Sequence, residues 1–348
     1  MNVTKSYFGE IHEQTVHSFT IRNNHGMEVT CIDFGCTITK ILVPDQVGTF
    51  ENVVLGFDTL DEYVNNSSYF GSVIGRVAGR IHPPTFDLDG VTYDLPPNEG
   101  DNHLHGGPNS FHQVIWDSII EEDSDEIKIK FSHLSPDGAC GYPGELKVTV
   151  TYSLNNKNEL LITYQGTAEK KTLLNIANHS YFNLSGDGKR TILDHELTMK
   201  SDRFLELDAS LLPTGAYIDV ENTTFDFRDG KKIREGVQSN HIQNQLVGGG
   251  YDHPFLLNAN NQEEICLVDS ISGRKLIVET DQPSVVLYSA NMLESNFQIR
   301  GVPSQKHLGV CLETQYPPNA IHHQDLPSIV LDKNEVYQSR TRFKFLLV

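Results

Sequence analysis

Apolar and polar residues alternate with period two along most of the chain, the signature of strands with one buried face. Phe86 to Leu95 reads as two short strands joined at Asp89-Gly90, a dipeptide suited to tight hairpin turns. Glu145 to Leu154 sets Leu146, Val148 and Val150 against polar neighbours, turns at Asn155 to Asn158, and returns as Glu159 to Gln165. Glu264 to Val268, Lys275 to Glu279 and Val285 to Ser289 repeat the pattern, with Ser272-Gly273 between the first two. Helical periodicity is nearly absent; Asp58 to Val64 offers one or two turns. No linker, composition break or fixed-period repeat divides the chain. The pattern predicts an all-β fold, one large single-domain β-sandwich over residues 1–348 with few short helices.

Composition narrows the partners. The 348 residues carry a formal net charge of -19, which repels phosphate backbones and anionic lipid. Nucleic acid and membrane surfaces are therefore excluded as expected partners, and a neutral small molecule is favoured. Five scattered cysteines without a CxxC pair argue against a disulfide framework or structural zinc and for a reducing compartment. No secretory signal or bilayer-length apolar run is visible, so the expected location is the cytoplasm.

Five segments carry candidate chemistry. On Val310 to Gln315, strand geometry puts Cys311, Glu313 and Gln315 on one face and Val310, Leu312 and Thr314 on the other; Pro317-Pro318 ends the strand. Glu313 is either a site carboxylate or a solvated strand-end acid. Asn178 to Leu184 follows an apolar strand and places His179 near its end, as a proton-transfer group or a satisfied structural histidine. His103-Leu104-His105-Gly106-Gly107, with His112 nearby, admits a metal reading through all three histidines. However, Pro108 and Asn109 stand where a further ligand is wanted, so His105 is expected to bind a hydroxyl and His103 to be structural. Gly71 to Ile81 lacks phosphate-loop spacing; Arg76 and Arg80 read as donors to ring or hydroxyl oxygens, or as surface arginines. In Gly248 to Phe255, Asp252 is either an acceptor for sugar hydroxyls or a turn residue, and Tyr251 or Phe255 is a candidate to pack on a sugar face.

Taken together, GRVAGRI at 75–81, LHGG at 104–107, NHSYFNL at 178–184, YDHPF at 251–255 and LETQYPPNAI at 312–321 resemble the aldose 1-epimerase (galactose mutarotase) family in order and spacing. The resemblance implies a β-sandwich of the galactose mutarotase type that interconverts the α and β anomers of a free aldose of the glucose and galactose class. It makes Glu313 the general base, His179 the general acid, and Arg80, His105 and Asp252 the substrate-binding residues, with no cofactor and no metal. The small-molecule substrate is a monosaccharide; a homodimer is left open. Gly79 stands where many members carry Asn, and Val286 where some place a glutamine. An epimerase for a phosphorylated hexose or a disaccharide, or a non-catalytic sugar-binding protein, are the competing readings.

Overall fold

The computed structural model describes all residues 1–348, and its regular elements are strands with a few short helices. The hairpin expected at Asp89-Gly90 forms from Thr85–Leu88 and Val91–Asp94, with Leu88 opposite Val91. Both turn residues have positive φ, 51° and 81°, as a twisted two-residue turn requires. The short helical pattern becomes Leu60–Asn65, capped by the Thr59 side chain and closed by Glu62 bonding back. All five cysteines are free.

Three antiparallel sheets make up the body. The first 52 residues contribute a five-stranded sheet, Asn2–Ile11 through Phe50–Asn52. A nine-stranded sheet contains Leu146–Asn155, Glu159–Ala168 and the long Val336–Leu347 strand near its middle. A six-stranded sheet runs in the order Tyr181–Phe182, Val310–Gln315, Ser284–Tyr288, Asp252–Leu256, Arg203–Leu207, Pro213–Asp219. One apolar cluster of 51 buried residues joins all three, including Phe19 and Ile41, Val150 and Ile162, and Val285, Leu287, Val310 and Leu312. The sheets therefore share a core as a β-sandwich does. No helix is long and apolar enough to cross a membrane.

The six-stranded sheet positions the site. Its core face carries Val310, Leu312, Leu287 and Phe255. Pairing of Tyr181 with Cys311, Cys311 with Tyr288, and Tyr288 with Asp252 aligns these four residues across the opposite face. One row along, Glu313 pairs with Val286 and Val286 with Pro254.

Candidate active site

That opposite face floors a cavity of about 260 Å³, and loops supply its walls. Glu313, His179, Arg80, His105 and Asp252 all line it. Glu313 is 4% exposed although it sits on a strand, so the solvated-acid alternative fails. His179 lies between the strands Ala177–Asn178 and Tyr181–Phe182, the first tied to Val73–Ile74 and the second to Val310–Gln315. Those two pairings bring its Nε2 within 3.5 Å of Glu313 Oε1. Arg80 is brought beside His105 by the short ladder in which Leu104 faces Arg80. Asp252 opens the strand Asp252–Leu256 and points its carboxylate at Arg80, 3.7 Å from Nη1.

Several assignments change with the structure. Arg76 is neither a surface arginine nor a site donor. It is 2% exposed and its guanidinium bonds the Ser135, Pro136 and Pro143 carbonyls and the Ser135 and Thr172 hydroxyls. Tyr251 and Phe255 do not face the cavity; both are fully buried in the core, and the Tyr251 hydroxyl donates to the Thr224 carbonyl. Strand alternation explains this, because residues one and three away from Asp252 fall on the opposite face. The His103–His105–His112 trio is dispersed: His103 is held by the Pro96 carbonyl and Tyr142 hydroxyl, and His112 bonds Ser110.

Two wall residues escaped the sequence reading. Glu99 grips Arg80 through two charge-assisted bonds, Nε to Oε2 at 2.6 Å and Nη2 to Oε1 at 2.7 Å, and Asn102 steadies the carboxylate at 3.2 Å. Tyr69, with φ of 57°, meets His105 edge-to-face at 4.8 Å and stacks on His179 at 5.8 Å. Neither residue sits in a periodic element, so no pattern marks it.

Hydrogen bonds fix the state of the imidazoles. Gly79 N–H donates to His105 Nδ1 at 3.1 Å, which leaves the proton of the neutral ring on Nε2. Gly79 itself has φ of 81°, and a side chain there would meet Pro318 at 2.7 Å. Cys311 Sγ lies 3.6 Å from His179 Nδ1. Burial, then the Asp252 charge, pushes the Glu313 carboxyl well above its ordinary range despite Arg80. Burial pushes His179 down to about 4. Burial, then the neighbouring His179, also lowers His105 well below a free imidazole. Asp252 is raised by burial, with Arg80 pulling it back. A proton shared between Glu313 and His179 therefore rests on the carboxyl rather than on the imidazole.

Donor atoms of His105, His179 and Glu313 lie within 4.8 Å of one another, which invites a cation. The hydrogen bonding does not suit one. A metal ligand needs a bare nitrogen, whereas Nδ1 of His105 is occupied and its other edge carries a proton. The set is better matched to the oxygens of a polyhydroxy ligand, one donor beside one acid–base pair.

The sequence profile of the aldose 1-epimerase family matches residues 17–344. The chain belongs to the aldose 1-epimerase family. Relatives at this level include a galactose mutarotase of Sus scrofa, 41% identical over 350 residues and covering 99% of both chains. A galactose mutarotase of Homo sapiens is 40% identical, over 99% of this chain and 98% of its own. A solved galactose 1-epimerase from Lactobacillus acidophilus superposes with a TM-score of 0.90 at 31% identity, covering 99% of each chain. The sandwich of this aldose 1-epimerase family member is thus the fold of solved relatives, and the expected architecture holds. A second cavity, lined by Arg76, His133, Cys140 and Tyr142, contains no carboxylate and no acid–base pair of the kind found in the first.

Proposed function

We propose that this protein interconverts the α and β anomers of a free aldose of the glucose and galactose class, with Glu313 as base and His179 as acid. The observation that carries the reading is the 3.5 Å approach of His179 Nε2 to Glu313 Oε1 on the floor of one sugar-sized cavity. Glu313 removes the proton of the C1 hydroxyl, the C1–O5 bond breaks, a C1 carbonyl forms, and His179 protonates O5. Rotation about C1–C2 presents the other carbonyl face. Reclosure uses the same two groups with roles exchanged, so the pair ends the cycle with the proton inventory it began with. The working form, carboxylate beside imidazolium, is the proton-transfer twin of the neutral resting pair. Sugar hydroxyls donating to the carboxylate favour the charged form, as hydrogen bonds to an ionised group do. Each positioned group contributes about 10² to 10⁴-fold.

Arg80 and the His105 Nε2–H supply fixed donors to sugar oxygens, and Asp252 an acceptor. A phosphorylated hexose is disfavoured, because Arg80 is the only lysine or arginine lining the cavity and Glu99 already neutralises it. The free cysteines support action in a reducing compartment, the cytoplasm. Polarimetry on freshly dissolved α-D-galactose and α-D-glucose tests the reading. Acceleration insensitive to added chelator is expected; a rate equal to buffer for every aldose tried would remove the proposal.

A further inference from the structure

The cavity contains an acceptor that the acid–base pair does not use. Gln315 is fully buried and lines the cavity, yet its Oε1 has no hydrogen-bond partner. Its Nε2 donates to the Tyr316 carbonyl at 3.1 Å, which fixes the amide orientation and leaves the oxygen as the orphan. Buried acceptors are rarely left so, because the hydration lost on burial is not regained. Such an orphan lies just behind the wall of a binding cavity, and a small turn of the side chain presents it to a donor from outside the protein.

Its place on the strand says which donor. Gln315 follows Glu313 by two residues, so the two side chains leave the same face about 6.5 Å apart along the strand. That offset is comparable with the span of a pyranose ring carrying its hydroxyls. With Glu313 at the C1 hydroxyl, the amide lies toward the carbons remote from the anomeric centre. Val286, the register partner of Glu313, and Gly79 offer no side-chain hydrogen bond here. Of the two amide side chains that line the cavity, Asn66 and Gln315, it is Gln315 that shares a strand with Glu313.

We propose that Gln315 is a substrate-contacting residue whose carboxamide oxygen accepts a hydrogen bond from a sugar hydroxyl remote from C1. This rests on the mutarotase reading above. It makes the residue a determinant of which aldoses are processed well, since an apolar side chain would leave that hydroxyl without its acceptor.

The test is a cycle between protein and ligand. Anomerisation rates would be measured for galactose and its 2-, 3-, 4- and 6-deoxy derivatives, with the wild type and with Gln315→Met. Asn175 Nδ2 also donates to the Tyr316 carbonyl at 3.1 Å, so that carbonyl keeps a partner in the variant. Thermal unfolding confirms folding, and Gln315→Leu replaces the methionine variant if it does not fold. Galactose should lose about tenfold in kcat/KM on substitution, while one deoxy sugar, already slow with the wild type, should lose little more. Equal losses for galactose and every deoxy sugar, or no loss at all, would overturn the contact. A wild type that accelerated no aldose would instead remove the mutarotase reading and this proposal with it.

Discussion

Glu313→Gln should separate activity from stability, and the sign of each effect follows from burial. Gln preserves shape and hydrogen-bonding capacity but cannot take a proton. Loss of the proposed base should lower turnover by about 10² to 10⁴-fold. Stability should move the other way. The folded carboxyl is raised well above 4.5 by burial and by Asp252, whereas the unfolded one titrates in the ordinary range. Between those two values the native state holds a proton that the unfolded state has released. The wild type therefore loses about 1.4 kcal/mol of stability per pH unit through that window, with no such loss below the unfolded value. The variant carries no such titration. His179, depressed to about 4, contributes a dependence of opposite sign in both proteins, which cancels to first order in the difference. Urea unfolding followed by circular dichroism from pH 4.5 to 7.5 reads the comparison directly. The advantage of the variant should be near zero at the acid end and widen as pH rises. A difference that stayed flat, or narrowed with rising pH, would refute the assignment of a proton to buried Glu313.

Three further outcomes bear on the site. His179→Asn should cost a similar factor in kcat, and the double variant with Glu313→Gln should be little slower than the worse single, because the pair acts as a unit; multiplied losses would show independent roles. Glu99→Gln removes the anionic partner of Arg80 and should raise KM about tenfold while barely changing the thermal midpoint, since the carboxylate is 36% exposed; an unchanged KM would remove Glu99 from the site. Gly106→Ala places a Cβ 2.0 Å from the Gly75 carbonyl at φ of 85°, so it should cost about 1–3 kcal/mol in urea unfolding and lower activity by displacing adjacent His105; native stability with full activity would contradict the close approach.

Much of this was legible before the fold was known, and the gaps have physical causes. Period-two alternation put Cys311, Glu313 and Gln315 on one face, and that face is the cavity floor. The hairpin at Asp89-Gly90 was equally local and equally readable. The same alternation, applied to Tyr251 and Phe255, already assigned them to the face opposite Asp252; their aromatic character drew the sugar-packing reading instead. The role of Arg76 is hidden because sequence gives no sign that five acceptors from residues 135 to 172 converge on one guanidinium. Glu99 lies among turn-forming residues, and its bond to Arg80 spans 19 positions that no periodicity links. The lone pair of His105 that Gly79 occupies is likewise a product of tertiary folding, not of either motif.

Glu313 hangs from an interior strand, paired at its own position with Val286 of Ser284–Tyr288, while Val310 and Cys311 of the same strand pair with Tyr181–Phe182 on the other side. Misplacing that carboxylate means tearing hydrogen bonds on an element whose reverse face is packed into the shared core. Local breathing of surface loops leaves it where it is. Its alignment with the imidazole thus persists for as long as the sandwich itself, and the slowest-exchanging amides of the protein should include those bracketing this acid.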